Sequence, residues 1–255
     1  MMRIGATSPV GAMAVRAIAV AAVALSFTHA WAVNALPAPT LVQHGMQSLR
    51  TAKMADLGRE LASAEVRHVA NWAVHSGDHR RQPFAVVDKV DGRLYVFDAD
   101  GRLRGATTAL VGAAPGDDTV PGIGERKISS IRPEERTTPA GRFEARMGVG
   151  PKGEDILWVD YENALALHRV VTNVPQERRL QRLASQVPAD RRITYGCINV
   201  PAVFYDAVVK PTFAQAGGVV YILPELRPAE DLFRSYEVGT PADRQAASVP
   251  VSTVR

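Results

Sequence analysis

The chain has 255 residues, of which 46% are hydrophobic and 22% are charged, and its formal net charge is +4. This composition is sufficient for a folded core, and the sequence has no basic stripe interleaved with aromatic residues, so we expect no nucleic-acid partner. The single cysteine excludes an internal disulfide.

The first 32 residues have the pattern of a secretory signal peptide. Arg3 and Arg16 come before or at the start of an uncharged apolar run over 17–27, and Ala30-Trp31-Ala32 is a small-x-small cleavage site. The run is too short to span a bilayer comfortably as a permanent anchor. We therefore expect cleavage after Ala32, export to the periplasm or cell envelope and no stable membrane span, with an uncleaved anchor helix as the alternative.

Residues 33–82 are predicted to be a flexible leader followed by a helix over 51–76. The apolar face of that helix has helical spacing and comprises Met54, Leu57, Leu61, Val69 and Trp72. The histidines at 44, 68, 75 and 79 are interpreted as solvated surface residues, because no cysteine or carboxylate cluster completes a metal site. We expect neither a metal nor a cofactor.

From residue 84 the pattern changes to strands. The runs 84–89 and 93–97 flank Asp91-Gly92, a strong hairpin signal, and 102–111 is predicted as a third strand. Residues 112–136 are rich in glycine, proline and charge and are interpreted as a substrate-facing lid. Further strands are predicted over 142–147, 155–161, 164–171 and 219–223.

Two further segments and a tail complete the chain. Residues 172–192 form an insertion with a short amphipathic helix over 176–183, and a second helix is predicted over 201–209 with Val203, Phe204 and Val208 facing inward. Residues 226–255 are polar and are expected to form a flexible tail or a loosely docked strap.

The only cysteine, Cys197, lies at a predicted strand-to-helix junction. A thiolate gains there from a nearby positive helix end, and free backbone N–H groups can hold an oxyanion. The base that a thiol nucleophile needs is best supplied by His168, within a predicted strand. The alternative is an inert buried cysteine, which is common because a free cysteine packs like a small hydrophobe.

These residues resemble the L,D-transpeptidase catalytic-domain family of cell-wall enzymes, over roughly residues 84–224. The resemblance is carried by His168, by Thr194-Tyr195-Gly196-Cys197-Ile198-Asn199, by Gly217-Gly218-Val219-Val220, and by the turn Thr138-Pro139-Ala140-Gly141-Arg142-Phe143. It implies a mainly β, sandwich-like catalytic domain over 83–225, with an N-terminal helix and short helices around the active site.

The resemblance also implies a cysteine acyltransferase. Cys197 would be the nucleophile, His168 the base, and the Arg169 carbonyl would orient the imidazole. Backbone N–H groups around Tyr195, Gly196 and Cys197 would hold the oxyanion. The implied partners are the tetrapeptide stems of peptidoglycan, as donor and acceptor with release of D-Ala, and carbapenem-type β-lactams as covalent inhibitors. Residues close to the thiol that we expect to bind substrate are Thr194, Arg192 and Asn199.

The sequence departs from the family pattern at two points. The family usually has a histidine directly before Gly-Cys, where this chain has Tyr195, and the interval between His168 and Thr194 is longer than usual. Hydrolysis of the same stems by an L,D-carboxypeptidase or amidase stays open because it uses the same nucleophile and base, and Tyr195 gives weight to a non-catalytic peptidoglycan-binding module. If the protein is an enzyme, we expect a low-pKa thiol that alkylates quickly at neutral pH. If it is a binding module, we expect an unreactive thiol.

Overall fold

The computed structural model describes residues 53–239. The predicted signal peptide, His44 and the last part of the predicted tail lie outside the described residues. The fold is mainly β, as predicted, with one large mixed sheet that is nearly barrel-shaped, one N-terminal helix and several short helices. Among residues 53–239, no helix has the length and apolar character needed to cross a bilayer.

Eight strands form the large sheet in the order β3-β2-β1-β10-β5-β6-β7-β9, and β4 pairs separately with β8. The strands are β1 Phe84–Asp88, β2 Arg93–Phe97, β3 Leu103–Thr108, β4 Val111–Gly112, β5 Gly141–Val149, β6 Asp155–Asp160, β7 Leu165–Arg169, β8 Arg192–Thr194, β9 Ile198–Val200 and β10 Gly218–Ile222. The pairs β1–β10, β7–β9 and β4–β8 are parallel, and the other pairs are antiparallel.

The predicted hairpin at Asp91-Gly92 is confirmed, since β1 and β2 pair from Phe84↔Phe97 to Asp88↔Arg93. The predicted third strand is too long. It ends at Thr108, because the backbone of Leu110 leaves β2 and exchanges both of its hydrogen bonds with Asn199 in β9, at 2.8 and 2.9 Å. This contact brings the chain after β3 to the far end of the strand order, which nearly closes the sheet.

The strands β1, β2 and β10 are buried on both faces of the sheet. One face of β1 and β2 contributes Ala85, Val87, Leu94 and Val96 to an inner core, while the alternate residues point to an outer core. Strands buried on both faces have continuous apolar sequences instead of an alternating pattern. The outer core is covered by α1 (Ala64–Ser76) and α5 (Ala229–Phe233).

Helix α1 begins later than predicted. The Ser63 hydroxyl accepts a hydrogen bond from the Val66 N–H at 3.2 Å and caps the helix, and Gly77 ends it with a left-handed φ of 75°. Residues 53–63 are therefore not helical, and Leu61, placed on the predicted apolar face, is 84% exposed. Trp72, on the same predicted face, is 6% exposed and packs into the outer core.

The remaining helices are short. Helix α2 (Arg179–Ala184) lies in the insertion, and α3 (Ala202–Phe204) continues through a π-helical turn, Tyr205–Val209, into α4 (Lys210–Phe213). The inward orientation predicted for Phe204 and Val208 is confirmed, because both pack on the inner core. That predicted for Val203 is wrong, since this side chain is 81% exposed.

The described part of the predicted tail packs against α1. The Phe233 ring stacks on Trp72 with centroids 6.4 Å apart. His68 in α1 is buried: its Nδ1 lies 2.9 Å from Glu237 and its Nε2 lies 2.8 Å from the Ser235 hydroxyl. The interpretation of His68 and His79 as solvated is therefore wrong, because both side chains bond to groups within the fold; His75 is exposed.

Candidate active site

Cys197 follows a tight bend between β8 and β9 that requires a glycine. Gly196 has a φ of 133°, and a Cβ at this position would lie 2.9 Å from the Thr137 carbonyl oxygen. Any other residue would be strained and would press against the chain that leads into β5. The bend thus fixes the position of the thiol directly before the buried strand β9.

Two threonine hydroxyls hold this bend. The Thr194 Oγ1 donates to the Cys197 carbonyl at 2.7 Å and accepts from the Gly196 N–H at 3.2 Å. The Thr138 Oγ1 donates to the Gly196 carbonyl at 2.6 Å and accepts from the Gly112 N–H at 2.8 Å. The predicted turn at 138–143 therefore supports the cysteine bend from across the fold.

His168 reaches the same place from β7. Because β7 and β9 are parallel with His168 opposite Asn199, both side chains lie on one face, next to the bend. The His168 Nδ1 lies 2.8 Å from the Arg169 carbonyl oxygen, which is the contact expected for orienting the ring. The Nε2 lies 3.1 Å from the Asn199 Nδ2.

The thiol and the imidazole are not hydrogen-bonded to each other. The Cys197 Sγ contacts the Ala164 carbonyl at 3.5 Å, and no hydrogen bond within residues 53–239 joins it to the His168 ring. Burial raises the pKa of the Cys197 thiol, opposed by the Ala166 backbone N–H and the Arg179 charge. Burial lowers the pKa of His168. Both shifts favour a neutral thiol and a neutral imidazole near pH 7, and the raised thiol pKa differs from the lowered one expected for an enzyme.

Both residues open into a pocket of about 330 Å³. The predicted lid contributes apolar side chains to one wall, and β6 contributes Ile156 and Trp158 to another. Charged groups of the pocket lining include Arg126 and Glu154. The lid side chains are Ile123, Ile128 and Ile131. A mainly apolar pocket with a few polar groups suits an organic substrate whose reacting bond is brought to the sulfur.

The lid is built from three short 3₁₀ turns, Ile123–Glu125, Ile128–Ser130 and Pro133–Glu135. The buried Glu135 carboxylate accepts from the Arg126 guanidinium at 3.0 and 3.1 Å and from Arg132 at 3.1 Å. These bonds lower the pKa of Glu135 to about 2. The Arg136 guanidinium lies over the Tyr195 ring, 4.2 Å from its centroid, so the lid also rests on the residue before the bend.

The side chains of the three residues expected to bind substrate all contact groups of the protein itself. Thr194 is 2% exposed and holds the bend, and Asn199 is 1% exposed with its amide between His168 and Arg179. The Arg192 guanidinium pairs with Glu225 and does not line the pocket. Each side chain is occupied within the fold, because a polar group beside a buried bend must find a protein partner.

Arg169 contributes through its backbone. Its guanidinium bonds to Asp155 and Asp206 and lies over the Tyr205 ring, 4.4 Å from the centroid. The Arg169 charge is therefore engaged by carboxylates of β6 and of the π-helical turn, and the residue contacts His168 through its backbone carbonyl. Of the backbone donors expected to hold an oxyanion, the Gly196 N–H already donates to Thr194, whereas the Cys197 N–H faces its own sulfur.

Sequence reasoning missed two supporting residues. Arg179 falls within the predicted amphipathic helix over 176–183, but no contact with the candidate site was predicted for it; its side chain is 12% exposed and contacts Asn199. Thr138 was noted within the turn motif, but no role in the cysteine bend was foreseen. The Thr138–Gly196 bond spans 58 positions, which local patterns do not encode.

His68, Glu230 and Glu237 bring three possible metal-ligand atoms within 4.8 Å of one another, which the sequence pattern did not reveal. Both nitrogens of the His68 ring already contact Ser235 and Glu237, and the two carboxylates are largely exposed. These contacts favour a role in docking the chain after α5 on α1, and we assign no ion to the group.

No protein-family model matches this sequence, and the comparison with curated proteins finds no match. Among solved structures, the chain is similar to the NMR structure of the catalytic domain from an E. faecium L,D-transpeptidase. The identity is 15%, the TM-score is 0.30, and the similarity covers 57% of this chain and 99% of that domain. These values are too low to carry an argument about activity.

Proposed function

We propose that this protein is an exported cysteine acyltransferase, an L,D-transpeptidase that acts on peptidoglycan stem peptides. The observation that carries the proposal is that Cys197, which directly follows the glycine bend, and His168 line the same pocket. The substrate class rests on the motif resemblance around Cys197 and His168, and export rests on the N-terminal pattern.

The proposed reaction uses the neutral pair found at rest. The Asn199 N–H moves away from the single lone pair of the His168 Nε2, which then takes the thiol proton as the sulfur attacks the carbonyl carbon between the diamino acid and D-Ala. The carbon–nitrogen bond breaks, His168 returns the proton to the departing amine, and a thioester remains on Cys197. An amine of a neighbouring stem then attacks the thioester, loses a proton to His168 and releases the thiol as a cross-link forms.

The walls of the pocket favour an acyl transfer over simple hydrolysis. Ile123, Ile131, Ile156 and Trp158 give the pocket that Cys197 lines apolar walls, which limits water around a thioester. Hydrolysis to a trimmed stem uses the same nucleophile and base, so it is the second candidate. A binding module without chemistry gains weight from the raised pKa of Cys197.

A product assay by mass spectrometry separates these functions. The protein is incubated with purified tetrapeptide muropeptides, with Cys197→Ala and His168→Ala alongside. We expect cross-linked dimers, release of D-Ala, and a loss of at least about a hundredfold in rate in each variant, because the two groups act as a unit. Tripeptide product alone would indicate a hydrolase, and equal rates in wild type and variants would overturn the assignment of the nucleophile.

A second measurement uses a carbapenem. A β-lactam carbonyl is an electrophile of the same kind as the stem peptide bond, so we expect the intact mass to increase by one inhibitor. Cys197→Ala should show no increase. An unmodified wild-type mass after prolonged incubation would count against an accessible nucleophile.

A further inference from the structure

Arg179 joins the insertion to the candidate base through one intermediate residue. Its side chain is 12% exposed and lies at the first position of α2. The Nε donates to the Glu177 carboxylate at 2.5 Å, which holds the guanidinium in place. The Nη1 donates to the Asn199 Oδ1 at 2.7 Å. The Nδ2 atom of the Asn199 amide lies 3.1 Å from the His168 Nε2.

The donors and acceptors in this chain of contacts allow one arrangement of protons. An arginine carries only donors, so the Asn199 atom that it contacts is the oxygen, and the amide nitrogen faces the His168 Nε2 at 3.1 Å. The amide nitrogen is itself only a donor, so Nε2 must accept. The ring proton then lies on Nδ1, 2.8 Å from the Arg169 carbonyl, which is only an acceptor.

We propose that Arg179 is a positioning residue that, through Asn199, keeps His168 as a neutral imidazole with its lone pair on Nε2. This is the form in which His168 can take a proton, and that role rests on the proposed function. A proton on Nε2 would face the amide N–H₂ of Asn199, and two donors would then point at each other. Without Arg179, the amide is free to turn and offer its oxygen, which favours the protonated ring.

The charges around His168 determine whether its pKa rises or falls when Arg179 is removed. Burial lowers the pKa of His168; the Arg169 carbonyl contact and the Glu154 charge raise it, and the Arg179 charge lowers it. The Cys197 thiol is neutral at rest, and the Arg169 guanidinium is engaged by carboxylates of other elements. Removing Arg179 takes away both a nearby cation and the contact that holds the amide, so both effects raise the pKa of His168.

The test is a pH titration by NMR of the full chain with ¹⁵N-labelled histidine. The His168 signals are identified by their absence in His168→Gln. In the wild type we expect the neutral ring to carry its proton on Nδ1 and to titrate below the ordinary value of 6.5. In Arg179→Met we expect the pKa to rise by on the order of one pH unit. An unchanged pKa and tautomer in a folded Arg179→Met protein would overturn the proposal.

Arg182→Met is the matched control. Arg182 lies on the same helix and fastens the insertion by donating to the Glu177 and Asp190 carbonyls at 2.8 Å, but it does not reach Asn199. We expect no change in the His168 titration there. An equal rise in both variants would show that loosening of the insertion is sufficient and would overturn the specific role of Arg179.

Asn199→Asp provides a second test that does not depend on Arg179→Met folding. A carboxylate is close in shape to the amide and still accepts from Arg179, but it offers only acceptors to Nε2. We expect the His168 pKa to rise by more than in Arg179→Met. A lower or unchanged value would overturn the proposal. The titration needs no substrate, so these outcomes are independent of whether stem peptides are turned over.

A kinetic measurement then links the arrangement to the reaction. If the wild type is active, the acidic limb of its kcat/KM profile should move to higher pH in Arg179→Met by the same amount as the His168 pKa. The rate at high pH should change far less than the rate near neutrality. Failure of all turnover would reject the proposed function and leave the NMR result to decide the role of Arg179.

Discussion

At the scale of single residues, the resting site is uncharged at its two reactive groups. The same burial raises the pKa of Cys197 and lowers that of His168, and a preformed thiolate–imidazolium pair is therefore disfavoured. Proton transfer must then accompany attack on the substrate. This arrangement also makes an unpaired thiol less vulnerable to oxidation, because oxidants react with the thiolate.

The first prediction concerns alkylation of Cys197 by iodoacetamide. Since its pKa is raised, the folded protein holds less thiolate at neutral pH than the denatured one, and alkylation should be slower by about tenfold or more at pH 7. The rate should continue to rise above pH 8.5, the usual value for a free cysteine. The intact mass reports one site, because the chain has a single cysteine. A rate that levels off below pH 7 would contradict the neutral pair.

The second prediction concerns Tyr195, which stands where the resembled family usually has a histidine. Its ring supports the Arg136 guanidinium, and no hydrogen bond to its hydroxyl is found within residues 53–239. Tyr195→Phe should therefore keep the rate within about threefold. Tyr195→Ala removes a contact of about 0.5–2 kcal/mol and should lower the rate by a larger factor. Equal losses in both variants would assign the effect to the hydroxyl instead of the ring.

At the scale of elements, sequence patterns correctly predicted the strands and turns that contacts between neighbouring residues stabilise. The Asp91-Gly92 hairpin and the buried strand β10 follow from turn residues and apolar runs. The length of the third strand does not, because Leu110 bonds to Asn199, which is distant in sequence. The start of α1 does not follow from apolar spacing either, because it is set by the Ser63 N-cap.

The residues of the candidate site also divide into those that the sequence predicted and those that it did not. The thiol, its glycine and the histidine were predicted from residue type and spacing, and the structure brings them to one pocket. The roles of Thr194 and Asn199 were not, because a polar residue near a nucleophile contacts substrate or protein depending on which partner folds against it. In this chain Thr194 bonds to Gly196 and Cys197 of its own bend, and Asn199 bonds to Arg179 from the insertion.

The third prediction concerns the lid. Glu135→Gln removes the charge that holds Arg126 and Arg132, so residues 119–137 should exchange backbone hydrogens faster. Hydrogen exchange followed by mass spectrometry measures this. Glu134→Gln is the control, because that side chain is 63% exposed and its contact with Arg132 lies at the surface. Unchanged lid exchange in Glu135→Gln would show that the apolar contacts of the lid hold it without the ion pairs.

The Glu135 carboxylate also makes the stability of the lid depend on pH. The pKa of Glu135 is lowered from 4.5 to about 2 by its bonds to Arg126 and Arg132. Its stabilising contribution is therefore complete above pH 4.5 and is lost as the pH falls through about 2. Lid exchange in the wild type, corrected for intrinsic rates, should approach that of Glu135→Gln only at the acid end of this window.

At the scale of the whole molecule, β1, β2 and β10 are covered on both faces, and the strands β7 and β9 of the candidate site pack on the inner core. The strand β10 carries Val220 into the inner core and Tyr221 into the outer one, and it joins β1 to β5. The outer core is completed by α1 and by α5, which lie outside the 83–225 range predicted for the catalytic domain. We therefore expect these helices to be part of the folding unit that positions the pocket.

The fourth prediction tests this dependence with two residues that apolar spacing placed on the same helix face. Trp72 is 6% exposed and contacts Tyr221 and Phe233 with ring centroids 6.1 and 6.4 Å away, so Trp72→Ala should lower the free energy of unfolding by about 3–5 kcal/mol. Leu61 is 84% exposed, so Leu61→Ala should change it by no more than about 0.5 kcal/mol. Urea unfolding followed by circular dichroism measures both. If Trp72→Ala lowered the free energy of unfolding as little as Leu61→Ala, the sheet would fold without the packing of α1. A large loss of unfolding free energy would show that α1 and the strands beneath it unfold together.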